Sequence, residues 1–175
     1  MLIALGGLPG TGKSCIARGI ANRFGAMHLR VDSIEQALLR AGVKDEDVGA
    51  AGYVVAYALA EDNLRLGRIV VADSVNPLAI TREAWRATAA RAGVPIAEVE
   101  VICSDREQHR QRVESRIADI AGHTLPTWQD VLDRHYEPWN GERIIIDTAN
   151  LAKPACVELL DQRLRAVMPM RWTQA

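Results

Sequence analysis

Short apolar runs alternate along the chain with longer stretches in which apolar residues recur every three or four positions. The apolar runs predict buried strands at residues 2–5, 26–31, 69–72, 99–103 and 144–146. The periodic stretches predict helices at residues 14–24, 33–41, 48–66, 81–91, 105–120, 127–136 and 154–167. Apolar strands separated by helices are typical of a parallel sheet covered on both faces. We therefore expect one α/β domain over residues 1–175.

Composition and charge narrow the functional classes. The net charge is −1, so the chain lacks the large basic field by which a dedicated nucleic-acid or membrane-surface protein would be held. No apolar run approaches the roughly 20 residues that cross a bilayer, and residues 1–5 lack the basic leader of a signal peptide. Cys15, Cys103 and Cys156 lie far apart, as expected of reduced thiols. We expect a cytoplasmic protein without nucleic-acid or membrane partners.

The strongest motif is GLPGTGKS at residues 7–14, which fits G-x-x-x-x-G-K-[ST] in full. Its glycines let several backbone N–H groups converge on one phosphate, and the helix that follows adds its N-terminal dipole. Lys13 would face the β- and γ-phosphates, and Ser14 would ligate Mg²⁺. A chance glycine-rich turn is the alternative, but the loop follows a predicted strand and opens a predicted helix. The expected ATP-binding residues are Gly7, Gly10, Thr11, Gly12, Lys13, Ser14, Cys15 and, as argued below, Arg112.

Asp73 closes the third predicted strand and is followed by Ser74, not by glutamate. A carboxylate that orients an attacking water is therefore missing from the place where switch and motor ATPases carry it. This favours phosphoryl transfer to a bound acceptor over hydrolysis. Asp73 could hold Mg²⁺ together with Ser14 or contact the acceptor, and the alternative is a residue that caps the next loop.

Asp32 lies at the carboxyl end of the second predicted strand, where open α/β sheets place their ligands. A carboxylate that faces the γ-phosphate can take or orient the proton of an acceptor hydroxyl. The alternative is that Asp32 and Ser33 cap a helix beginning at Ile34.

Four arginines lie in the predicted helix at residues 105–120. Arg112 and Arg116 are four residues apart, so they share one helix face. Arg116 could stabilise the charge that spreads over the transferred phosphoryl group, and Arg112 could stack on adenine. The alternative is a solvated face paired with interleaved acidic residues, which is the interpretation for Arg106 and Arg110.

The loop, Asp32, the VADSVNP segment at residues 71–77 and the arginine helix together resemble the small P-loop kinases. The most similar group is the AAA_33-type ATP-binding proteins related to chloramphenicol phosphotransferase and the kinase domain of polynucleotide kinase. The resemblance implies a three-layer fold with a five-stranded parallel sheet in the order 2-3-1-4-5. It also implies ATP and Mg²⁺ at the carboxyl edge of the sheet and a mobile lid, at about residues 117–126.

The resemblance also implies residue roles. Asp32 would be the catalytic base, Asp73 and Asn76 would border the acceptor site, Arg112 would pack on the adenine, and Arg116 would reach the phosphates. Two features depart from the polynucleotide kinases: residues 33–35 contain no arginine to grip a 3′-phosphate, and the lid is short. Both count against a nucleic-acid end as substrate.

The acceptor pocket is less clearly marked. Tyr53 and Tyr57 lie four apart on one predicted helix and are candidates to line it, although ordinary core packing is the favoured interpretation of each aromatic residue. The other aromatic candidates are Trp85, Trp128, Tyr136 and Trp139. His109, His123 and His135 are expected at the surface.

The sequence thus predicts Mg²⁺-dependent transfer of the ATP γ-phosphoryl group to a hydroxyl of a small acceptor, with Lys13, Asp32 and Arg116 as the catalytic residues. Two alternatives stay open. One is a nucleotide-dependent binding module without kinase activity, and the other is a kinase of nucleic-acid ends or nucleotide sugars.

Overall fold

A computed structural model describes residues 1–167 of the chain, and strands alternate with helices throughout. The strands are β1 Leu2–Gly6, β2 Met27–Arg30, β3 Val70–Asp73, β4 Ile96–Ile102 and β5 Ile144–Asp147. The helices are α1 Lys13–Phe24, α2 Val31–Arg40, α3 Asp45–Arg65, α4 Ala79–Arg91, α5 Arg106–Glu114, α6 Trp128–Asp133 and α7 Lys153–Val167. The last eight residues, which the sequence analysis places in the same domain, lie outside the described residues. None of the described helices combines the length and hydropathy that a membrane crossing needs.

The strands form one parallel sheet in the order β2-β3-β1-β4-β5. The α/β class and the strand order expected from the sequence are therefore confirmed. Asp73 pairs in register with Leu5 on one side and with Arg30 on the other. These pairings bring the ends of β1, β2 and β3, and the loops that follow them, to the same edge of the sheet.

The side chains of β1 alternate between two apolar layers. Ile3 and Leu5 pack in a cluster with Ile16 and Leu160, from α1 and α7, on one face of the sheet. Leu2 and Ala4 pack on the other face in a cluster with residues of α3 and α4, among them the fully buried Trp85. Because β1 is buried on both faces, it reads in the sequence as a continuous apolar run.

Strand β4 begins at Ile96, three residues before the predicted start at Val99. The charged residues Glu98 and Glu100 break the apolar pattern that the prediction used. Their carboxylates accept hydrogen bonds from Arg86 at 3.0 Å and from Arg143 at 2.6 Å. Glu100 lies inside the predicted strand, and the paired Glu98 belongs to the part of β4 that precedes the predicted start.

The arginine helix is shorter than predicted, since α5 ends at Glu114 and not near Ile120. The Ser115 hydroxyl donates to the carbonyl of Gln111 at 2.6 Å at this end. Beyond it the chain leaves the helix and is anchored by Asp119, which accepts a hydrogen bond from Arg30 at 2.9 Å. The prediction that Arg112 and Arg116 share one face of this helix is therefore wrong, because Arg116 follows the helix.

Candidate active site

The phosphate loop joins β1 to α1 and depends on glycine at two positions in particular. Gly7 has φ +139°, and a Cβ atom there would overlap the carbonyl group of Val101. Gly10 has φ +84°, and a Cβ atom there would overlap the side chain of Val113. L-residues rarely adopt such φ values, so these positions require glycine for both conformation and space. Gly12, with φ +98°, precedes the first residue of α1.

Side chains close the loop on itself. The Thr11 hydroxyl and the Lys13 ammonium each donate to the carbonyl of Leu8, at 2.9 Å in both cases. Lys13 is 7% exposed. Burial lowers the pKa of the Lys13 ammonium to about 8, although the charges of Asp73 and Asp32 raise it. A buried cation inside a cradle of backbone amides is suited to binding a polyphosphate.

Asp73 lies at the carboxyl end of β3 and is 2% exposed. Its carboxylate is 3.2 Å from Nε2 of His28. Burial alone would raise the pKa of Asp73, but hydrogen bonds with His28 and Ser14 and the charge of Lys13 hold this pKa below its ordinary value. The Asp73 carboxylate is therefore ionised at neutral pH.

The residues present fit a magnesium site, because the Ser14 hydroxyl and the ionised Asp73 carboxylate supply neighbouring oxygen ligands. No group of three or more histidine, cysteine or acidic side chains that could hold a metal occurs among residues 1–167. Mg²⁺ commonly binds through one or two protein oxygens, with water and substrate phosphates completing its shell. Ser14 and Asp73 are thus sufficient as its protein ligands.

One cavity, of about 370 Å³, lies beside the phosphate loop and α5. Among the residues that line it are Gly10, Gly12, Lys13, Ser14, Cys15, Arg112, Arg116, Thr148, Leu151 and Cys156. This cavity contains most of the residues predicted to bind ATP. Leu151 and Cys156 give this cavity apolar lining that suits a purine ring, and the residues of the phosphate loop suit phosphates.

Arg112 is held in this cavity by Thr148, which follows β5. Its guanidinium donates to the Thr148 hydroxyl oxygen at 2.8 Å and to the Thr148 carbonyl at 2.9 Å. The Thr148 hydroxyl in turn lies 2.8 Å from the carbonyl of Thr11. Thr148 therefore joins the arginine of α5 to the phosphate loop. This role of Thr148 is not predictable from the sequence, because nothing in the pattern after β5 marks a ligand-binding residue.

A second cavity, of about 900 Å³, lies on the other side of Lys13. Its lining includes Asp32, Glu35, Tyr53, Asp73, Ser74, Arg116, His123 and Arg134. Lys13, Ser14 and Arg116 line both cavities. The phosphate loop thus separates a nucleotide-sized space from a larger space that contains two of the carboxylates predicted from the sequence.

Asp32 lies in the first turn of α2, at the second helical residue. The capping alternative does not fit, because the helix begins at Val31 and not at Ile34, and its N-cap is Arg30, with no side-chain capping bond. Asp32 is instead 3.3 Å from the guanidinium of Arg30. Its carboxylate is therefore free of a capping role and lines the larger cavity.

The predicted acceptor residues are divided by the fold. Tyr53 lines the larger cavity, and its hydroxyl oxygen accepts a hydrogen bond from the backbone N–H of Asn76 at 3.0 Å. Asn76 itself is 0% exposed and does not line either cavity. Tyr57 does not line them either, since its hydroxyl donates to the Thr81 carbonyl at 3.2 Å and its ring packs against Trp85. Asn76 thus contacts a lining residue of the site, Tyr53, through its backbone N–H.

His109 was expected at the surface and is buried at 6% exposure, so this expectation is wrong. Its Nε2 lies 2.7 Å from the carbonyl of Pro9 in the phosphate loop, and its ring stacks edge-on against Trp128 at 5.2 Å. The contact is possible because the interior face of α5 packs against the loop. Residue spacing within one helix carries no signal for such a contact.

Comparison with known proteins shows which family this sequence matches. A family model described as AAA domain, AAA_33, matches residues 2–138. The chain is 30% identical over 137 residues to a cytidylate kinase of Mycobacterium leprae (strain Br4923), a match that spans 72% of this chain and 59% of that kinase. It is 25% identical over 171 residues to an adenylyl-sulfate kinase of Synechococcus sp. (strain JA-3-3Ab), with 91% of each chain covered.

The fold is also found in a solved structure of APS kinase from Mycobacterium tuberculosis in complex with AMPPNP and APS. The two structures share a TM-score of 0.68 and 19% sequence identity, over 91% of this chain and 95% of that chain. The more specific relation to chloramphenicol phosphotransferase and polynucleotide kinase stays a prediction. Because the family model matches residues 2–138, the protein belongs to the AAA_33 family of small P-loop kinases.

Proposed function

We propose that this protein is an ATP-dependent kinase that transfers the γ-phosphoryl group to a hydroxyl of a small acceptor. The observation that carries the proposal is the position of Lys13, Ser14 and Arg116, which line both cavities. ATP would occupy the smaller cavity and the acceptor the larger one, so that the γ-phosphate meets the acceptor beside these residues. The cytidylate and adenylyl-sulfate kinases, which this chain resembles, are named for small acceptors.

Each residue of the site has a chemical role in this reaction. The acceptor oxygen forms a bond to the γ-phosphorus, the bond from that phosphorus to the β–γ bridging oxygen breaks, and ADP leaves. Asp32 takes the hydroxyl proton, because its carboxylate lines the acceptor cavity near the Lys13 ammonium and, unlike Asp73, is not bonded to a histidine. Lys13 and Arg116 stabilise the negative charge on the transferred oxygens.

Ser14 and Asp73 would hold Mg²⁺, which when bound would neutralise charge on the β- and γ-phosphates. Arg112, positioned by Thr148, would contact the purine side of the nucleotide. Binding ATP and the acceptor in two separate cavities also orients them relative to each other, and this orientation contributes to the rate of transfer.

The experiment is transfer from γ-labelled ATP, with Mg²⁺, into a small-molecule extract of bacterial cells. We expect a labelled small product that forms with the native protein and is absent with Lys13→Ala. Tight ATP binding without any labelled product would instead indicate a nucleotide-dependent binding module. A label that appears in 5′-hydroxyl oligonucleotides but not in small molecules would indicate a kinase of nucleic-acid ends.

A further inference from the structure

The acceptor cavity contains a carboxylate that the reaction above does not use. Glu35 lies three residues after Asp32 on α2, so both side chains lie on one helix face, and both line the larger cavity. Gly52 of α3 faces Glu35, and a Cβ atom at Gly52 would lie 2.6 Å from Cγ of Glu35. The missing side chain at Gly52 leaves the space that Glu35 occupies.

Glu35 is half-buried on the acceptor side of α2. It forms no hydrogen bond or ion pair with any other residue in the described range 1–167. Burial, together with the charge of Asp32, raises the pKa of Glu35 to about 7, although Arg134 lowers it. The Glu35 carboxyl group therefore lines the cavity without a bond to residues 1–167 and is available to a bound molecule.

Carboxylates outnumber cations around this cavity. The carboxylates are Asp32, Glu35, Asp73, Asp130 and Asp133, and the cations are Lys13, Arg116 and Arg134. Lys13 and Arg116 also line the nucleotide cavity, which leaves Arg134, among residues 1–167, as the one arginine or lysine lining only the acceptor side. A phosphorylated or sulfated acceptor would therefore meet more negative than positive charge.

The other carboxylates that line the cavity, apart from Asp32, already accept hydrogen bonds within the protein. Asp130 accepts from the backbone N–H of Thr127 at 2.8 Å, and Asp133 accepts from the Gln129 amide at 2.9 Å. Asp73 is held by His28. Glu35 is thus the acidic group that is available to recognise the acceptor, while Asp32 takes its proton.

We infer that the acceptor carries no phosphate or sulfate and presents an amine or a hydroxyl hydrogen-bond donor to Glu35, which is a specificity-determining residue of the acceptor site. This inference rests on the proposed function and names its substrate class. A neutral polyhydroxy compound or an aminated one has this chemistry. Nucleoside monophosphates and sulfated nucleotides do not.

The test separates the extract by charge before the reaction. A bacterial small-molecule extract is divided by ion exchange into cationic, neutral and anionic fractions, and each is supplied with γ-labelled ATP, Mg²⁺ and the native protein. We expect labelled product from the cationic or the neutral fraction. Product from the anionic fraction alone overturns the acceptor class and leaves the kinase function standing. No product from any fraction overturns the proposed function itself.

The role of Glu35 is tested on the compound isolated from the active fraction. We expect Glu35→Gln to raise the acceptor KM about tenfold or more, because a charge-assisted hydrogen bond is lost. The KM for ATP should stay within about twofold, which a general structural defect would not allow. Glu83→Gln, on the exposed side of α4, is the matched control and should change neither constant. An unchanged acceptor KM in Glu35→Gln overturns the role of Glu35.

Discussion

The guanidinium of Arg30 lies 3.3 Å from the carboxylate of Asp32 and also donates to the carboxylate of Asp119 at 2.9 Å. Arg30 is 9% exposed at its side chain and ends β2. It therefore joins the proposed catalytic base to the segment that follows α5. The same segment is held by Arg40, whose guanidinium donates to the carbonyl of Ala121.

Replacing Arg30 should lower both the stability and the activity of the protein. In Arg30→Met, Asp32 and Asp119 each lose a cationic partner, and we expect the free energy of unfolding to fall by about 2 kcal/mol. Urea denaturation measures this change. Arg18→Met is the control, since Arg18 is also 3.4 Å from Asp119 but is 56% exposed. Exposed pairs contribute about 0.2–1 kcal/mol, so equal losses in the two variants would contradict the coupling through Arg30.

Asp32→Asn should separate binding from transfer. The amide keeps the shape of the side chain but cannot accept the acceptor proton, so we expect transfer to fall at least about a hundredfold. The Kd for ATP should stay within about twofold, because Asp32 lines only the acceptor cavity. Single-turnover transfer and equilibrium ATP binding are the two measurements. Near-native transfer would remove Asp32 from the role of base.

ATP binding should depend on pH through Lys13. The pKa of Lys13 is lowered to about 8 by burial, and a bound polyphosphate favours the charged ammonium. Near pH 8 the Lys13 ammonium of the free protein is partly deprotonated, so ATP binding takes up a proton. The affinity for ATP therefore declines as the pH rises further. Calorimetry in two buffers of different ionisation enthalpy measures the uptake. Lys13→Arg keeps a permanent positive charge and should bind ATP without taking up a proton. Proton uptake by this variant equal to the native value would assign the proton to another group.

Thr148 should matter more for ATP affinity than for folding. Thr148→Val removes the hydroxyl that contacts Arg112, Thr11 and Ile102, and we expect the Kd for ATP to rise at least about threefold. Stability should fall by about 1 kcal/mol. The matched control is Thr88→Val, another buried threonine, whose hydroxyl bonds the Ala84 carbonyl within α4. Thr88→Val should lower the free energy of unfolding by a similar amount. If its Kd for ATP rose as much as that of Thr148→Val, the positioning of Arg112 by Thr148 would be refuted.

Local pattern was sufficient for the phosphate loop and for the existence of each strand. The loop depends on glycines whose positive φ values are needed wherever this turn is formed, and the apolar runs are buried wherever they are covered by helices. The residues that form each of these patterns lie within about ten positions of one another, so each pattern can be recognised from the sequence alone. Asp32 and Asp73 could be placed at the carboxyl edge of the sheet for the same reason, because each lies at the end of a recognisable strand.

Only the tertiary structure decided which side chains meet. His28 contacts Asp73 from the adjacent strand, 45 residues away in sequence, and Arg30 contacts Asp119, 89 residues away. The end of α5, the burial of His109 and the space opposite Glu35 likewise depend on what packs against each of them. Strand order and register set these contacts, and residue spacing along one element carries no information about the partner on another.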